Sequence, residues 1–82
     1  MTASRFEQVR TVASDIFGIP AEKITAESSP DTIESWDSMQ HLNLVLAIEE
    51  KFRVQFDPEE IEQMKNIGAV TALVEKLQSA AR

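Results

Sequence analysis

The chain has 82 residues, 43% of them apolar and 27% charged, with a formal net charge of −6 and no cysteine. That is enough for one small core but too little for the walled clefts most enzymes build, and it excludes a disulfide framework, a thiolate metal site and any chemistry needing a thiol of the protein's own. Residues 22–62 hold 11 of the 14 acids and 3 of the 8 bases, a distribution that repels nucleic acid and suits partners with basic patches.

The longest apolar run, residues 44–48, is far too short for a membrane span, and the N-terminus lacks the basic-then-apolar layout of a secretion signal. A single domain over residues 1–82, working as a monomer in the cytoplasm, is the expectation. Ser4 followed by Glu7 reads as a capping box that opens a first helix, and Gly18 with Pro20 stops it after Phe17. At about 100° per residue, Phe6, Val9, Val12, Ala13, Ile16 and Phe17 share one arc, while Glu7, Arg10, Ser14 and Asp15 lie outside it.

Residues 18–37 hold Pro20, Pro30 and a scatter of Ser, Thr and acids, and they predict a long connection. Loops of this length are usually functional or disordered. Ile24 and Ile33 argue that this one is pinned across the bundle, and Trp36 is expected to pack on it. Asp31, Glu34 and Asp37 lack the turn glycine and terminal glutamate of a calcium loop, so no metal site is expected.

The pattern over residues 38–52 predicts a second helix with two apolar stripes, where a bundle needs one. Leu44, Val45, Ile48 and Phe52 form an arc roughly 100° wide, and Met39, Leu42 and Leu46 cluster roughly 150° away. The first stripe should face the core. The second should be partly exposed beside Ser38, flanked by Glu49 and Glu50, as a candidate docking surface.

Asp57, Pro58 and Glu60 open a short third helix that ends near Met64; Asn66 caps a fourth that buries Ile67, Val70, Leu73, Val74 and Leu77, with residues 79–82 expected to fray. The expected architecture is therefore all-α: a four-helix bundle of three main helices and one short third helix, with the long loop between the first two.

Asp37 is expected to cap the second helix, leaving Ser38 as its first residue with the hydroxyl free near solvent. Unpartnered amides and the helix dipole stabilise an anion there by roughly 0.3–1 kcal/mol. A serine at that spot is a natural place to carry a phosphate. The alternative is catalysis by Ser38 with His41, three positions on, but there is no Gly-x-Ser-x-Gly elbow, no evident oxyanion hole and no carboxylate to orient the imidazole. The chain is not expected to be an enzyme.

Asp37-Ser38-Met39, followed by LNLVLAIEEKF at residues 42–52, resembles the Asp-Ser-Leu motif and second helix of acyl carrier proteins. The similarity continues through DPEEI at 57–61 and MKNIGAV at 64–70, so it covers nearly the whole chain. The resemblance implies that a phosphopantetheinyl transferase esterifies Ser38 with 4′-phosphopantetheine from coenzyme A. The arm would supply the missing thiol and hold acyl groups as thioesters. By position, Asp37, Met39, Leu42, Leu46, Glu49 and Glu50 would form the face that loading ligases and synthases with basic docking patches recognise.

Met39 stands in place of the usual leucine, a volume-conserving change. Asn43 stands where many carriers of fatty acid synthesis have an acid, which points toward polyketide or other specialised chemistry. Arg53 stands where a glycine often ends the second helix, so that cap is expected to be strained or shaped differently. Two alternatives remain open: an aminoacyl or peptidyl carrier, as in nonribosomal peptide or D-alanyl transfer, and an acidic helical interaction module with no prosthetic group.

Overall fold

The computed structural model describes residues 4–80 and begins its first helix where the Ser4 hydroxyl accepts the Glu7 amide at 3.1 Å. Helix α1, Arg5–Phe17, ends at Gly18, whose φ of +70° places it in the left-handed region that a residue without Cβ adopts freely. Val9, Ala13 and Phe17 are buried, and Phe6, Val12 and Ile16 pack partly buried against them, so the predicted arc is the core face.

The long connection contains one 3-10 turn, Ala21–Lys23, and is pinned after it. Ile24 and Ile33 are buried at 1% and 4% exposure, as their isolation among polar neighbours predicts, and Trp36 joins them at 3%. The backbone holds the loop as well. The Ile67 and Gly68 amides, at the start of α4, donate to the Ser28 and Ala26 carbonyls at 3.0 and 2.8 Å. A Cβ on Gly68 would lie 3.0 Å from the Ala26 carbonyl oxygen, so the close approach of loop to helix requires glycine there.

Helix α2, Ser38–Phe52, ends at Arg53, a non-glycine residue in the left-handed region at φ +56°. The five-residue α3, Pro58–Glu62, has the capping box its sequence predicts, with the Asp57 amide donating to Glu60 at 2.9 Å. Helix α4, Ile67–Ala80, is capped by Asn66, which accepts the Ala69 amide at 2.7 Å. Helical backbone continues through Ala80, and residues 81 and 82 of the stretch expected to fray lie outside the described residues.

Helix α1 packs against both α2 and α4 around Val9, Leu44, Ile48, Ile67, Val70 and Val74, all fully buried. Burial of side chains of this size contributes about 1.5–3 kcal/mol each, mostly offset by chain entropy. Among the described residues there is no strand, and no helix is long and apolar enough to cross a membrane.

Candidate functional site

Asp37 and Ser38 divide the work at the start of α2. Asp37 is extended, at φ −102° and ψ −173°, and its Oδ1 accepts the Gln40 amide at 2.9 Å, while its carbonyl accepts the His41 amide at 2.8 Å. The helix is therefore capped without the serine. Ser38 is exposed, and its hydroxyl has no hydrogen-bond partner among the described residues. The Ser38 and Met39 amides belong to the first turn, which has no internal carbonyl to offer them, so they lie beside that hydroxyl at the positive end of the helix.

The end of α1 holds this helix start in place. Its last carbonyls would be orphans, but Gln40 Nε2 donates to the Ile16 oxygen and Ser35 Oγ to the Phe17 oxygen, each at 3.0 Å. Two residues flanking Ser38 thus tie the start of α2 to the end of α1. These bonds were not legible beforehand, because partners 24 and 18 positions apart leave no local pattern.

Trp36 and His41 add a third tie. The indole N–H donates to His41 Nδ1 at 3.0 Å, and His41 Nε2 lies 3.1 Å from the Ile61 carbonyl on α3. With Nδ1 accepting, the Nε2–H tautomer satisfies both contacts. The two rings stack at 5.9 Å, and Trp36 in turn lies 5.1 Å from the Phe17 ring. Both imidazole nitrogens are occupied, so His41 has no lone pair free to take the Ser38 proton. The pairing that a catalytic reading would need is absent.

The outward stripe of α2 is exposed as its spacing predicts: Met39 at 73%, Leu42 at 56% and Leu46 at 63%. It does not fold under the loop. Asp37 and Glu50 are also exposed, whereas Glu49 is half-buried and accepts the Phe56 amide at 2.9 Å, which ties the end of α2 to the segment leading into α3. Asp31, Glu34 and Asp37 belong to no metal-holding group among the described residues.

The start of α2 thus offers a free hydroxyl beside an uncovered apolar stripe, on a chain of net charge −6. Residues 7–74 match the family described as the phosphopantetheine attachment site. The chain is 33% identical over 72 residues to an acyl carrier protein of Akkermansia muciniphila, across 88% of this chain and 90% of that one. The solution structure of a holo acyl carrier protein from Geobacter metallireducens superposes with a TM-score of 0.84 at 26% identity, covering 93% of this chain and 87% of that one. A holo acyl carrier protein from Nitrosomonas europaea gives 0.80 at 29% identity, covering 94% and 99%. The chain belongs to the acyl carrier protein family, a family of non-catalytic carriers, and its prosthetic group is covalently bound 4′-phosphopantetheine.

Proposed function

We propose that Ser38 is the attachment point and that residues 1–82 form a single, monomeric, cytoplasmic carrier domain that delivers acyl thioesters to partner enzymes. The observation that carries this is the exposed, unpartnered Ser38 hydroxyl at a helix start whose cap is supplied by Asp37. A serine acting as its own cap would have its oxygen engaged with the backbone.

In loading, a phosphopantetheinyl transferase presents coenzyme A. Ser38 Oγ would give its proton to a base supplied by the transferase and bond to the phosphorus nearest the pantetheine, while the bond from that phosphorus to the bridging oxygen would break and the departing adenosine bisphosphate would carry away the electron pair. The first-turn amides of α2 would stabilise a phosphodiester at Ser38, with Asp37 keeping the helix start in shape through its bond from the Gln40 amide. The arm supplies the thiol that a chain without cysteine cannot.

Met39, Leu42 and Leu46, with Asp37, Glu49 and Glu50 around them, form the docking face for the transferase, loading ligases and synthases. Their chemistry suits an apolar patch rimmed by bases, since acidic rims steer encounter more than they add affinity. The neutral, exposed Asn43, which donates to Gln40 Oε1 at 2.8 Å, supports a polyketide or other specialised pathway over fatty acid synthesis.

Incubation with coenzyme A and a broad-specificity transferase is expected to raise the mass by one phosphopantetheine, and Ser38→Ala to show no increase. A wild type that stays unmodified beside a control carrier that loads would overturn the assignment.

A further inference from the structure

On the reading that Ser38 bears the arm, we propose that Gln40 and Ser35 are positioning residues for loading. They hold the serine on the end of α1 in the orientation from which the transferase takes it, and they act on the transfer step rather than on docking. The Ile16 carbonyl has no helical donor, because the residue four positions on is Pro20, which lacks an N–H. Phe17 is the last residue of α1 and Gly18 leaves the helical path, so the Phe17 carbonyl is orphaned as well. Both are filled from the segment around Ser38: Gln40 Nε2 donates to the Ile16 oxygen and Ser35 Oγ to the Phe17 oxygen, each at 3.0 Å and partly buried. Between them in sequence, the Trp36 ring lies 5.1 Å from the Phe17 ring. Ser35, Trp36 and Gln40 thus seat on the last two residues of α1, while Asp37, Ser38 and Met39 remain exposed.

Gln40 had a nearer partner. Asp37 and Gln40 have the spacing of a capping box, in which the side chain of the third helical residue returns to the amide of the cap. At α3 that bond is made, from the Asp57 amide to Glu60. At α2 it is not: the Asp37 amide donates to the Ser35 carbonyl at 3.1 Å, and the Gln40 carboxamide reaches α1 instead. Asn43 Nδ2 donates to Gln40 Oε1 at 2.8 Å, which fixes the end of the carboxamide that faces Ile16. The serine is therefore held by contacts three residues before it and two after it, and its own hydroxyl makes neither.

The bundle does not depend on these bonds to close. Its core is apolar and fully buried at Val9, Leu44, Ile48 and Ile67, and a carbonyl freed at a partly buried place can turn to water. Transfer is more demanding. The serine oxygen must approach the phosphorus to about 3–3.5 Å, in line with the departing oxygen, and a displacement of about 1 Å can slow such a step about a hundredfold. A helix start that shifts on α1 would lose rate while keeping both its fold and the apolar face by which partners dock.

The test uses the full chain with coenzyme A and a broad-specificity transferase in excess. It reads the maximal single-turnover rate of mass gain and the transferase concentration giving half of it, beside thermal unfolding and amide exchange. Gln40→Met, which keeps the length but has no donor, is expected to lower the maximal rate about tenfold and to move the half-saturating concentration by less than about twofold, at a temperature where the variant is folded. The Gln40 and His41 amides, both held by Asp37, should exchange faster. Ser35→Ala should lower the maximal rate about threefold, and Ser35→Thr, which keeps the hydroxyl, should recover most of that loss. A full maximal rate in both Gln40→Met and Ser35→Ala, whatever their unfolding temperatures, would show that the two bonds only cap α1 and would overturn the proposal. So would a raised half-saturating concentration at an unchanged maximal rate, which would make Gln40 a docking contact, and so would a Ser35→Thr protein as slow as Ser35→Ala. If Gln40→Met does not fold, the two Ser35 variants decide alone. A wild type that never loads removes the Ser38 assignment and this proposal together, whereas a wild type that loads no faster than the variants removes this proposal alone.

Discussion

Leu46 and Ile48 are two positions apart on the same helix, yet Ile48 has no exposure and Leu46 keeps 63% of its own. Stability accounts for the inward stripe of Leu44, Val45, Ile48 and Phe52, because the bundle closes on it. It does not account for Met39, Leu42 and Leu46, which α1 and α4 leave uncovered. These three are apolar surface that the fold leaves unburied, running along α2 from the residue after Ser38, as the docking face proposed above requires.

The most severe way to challenge that division is Ile48→Ala, which removes a fully buried side chain and leaves a cavity. Urea or thermal unfolding should show a loss of about 2–5 kcal/mol. A loss under about 0.5 kcal/mol, the size of a surface change, would mean that the inward stripe is not the core face.

Much of this arrangement was legible in the sequence because it is local. Ser4, Asp37, Asp57 and Asn66 announce helix starts through caps that act within three residues, and each helix begins where its cap places it. The two stripes of α2 follow from angular spacing alone. What stayed hidden is contact between distant positions: Gln40 on Ile16, Ser35 on Phe17, His41 on Ile61, and the Ala26 carbonyl on Gly68. Trp36 could be read as a packing residue from its size, but its bond to His41 could not, because the two are five apart and straddle a helix boundary where no periodicity applies.

Arg53 sharpens the comparison from outside both stripes. It holds φ +56° at the end of α2, donates its amide to the Glu49 carbonyl, and its side chain is exposed. An L residue with a Cβ is strained in that region, so the arginine at the place where carriers often have glycine leaves the cap with unfavourable backbone. Arg53→Gly is expected to stabilise the fold by about 1 kcal/mol, part of the relief being offset by the freer unfolded chain. For a domain of this size that corresponds to a rise in Tm of roughly 4–8 °C. Because neither stripe is touched, loading at Ser38 should be unchanged; a fall in Tm would show that the arginine side chain makes a contribution larger than its backbone strain.

Leu46→Ala has the smallest effect on the fold and is the most informative about the outward stripe. At 63% exposure the side chain has little core contact to lose, so unfolding should change by no more than about 0.5 kcal/mol. If the stripe docks partners, the same substitution should raise the KM of the transferase for this carrier by about tenfold, the equivalent of about 1.4 kcal/mol for an anchor near the centre of an interface. The two readouts must separate. Destabilisation comparable to Ile48→Ala would place Leu46 in the core after all, whereas an unchanged KM with an unchanged fold would move the docking face away from this stretch of α2, leaving Met39 and Leu42, nearer Ser38, as the apolar contacts.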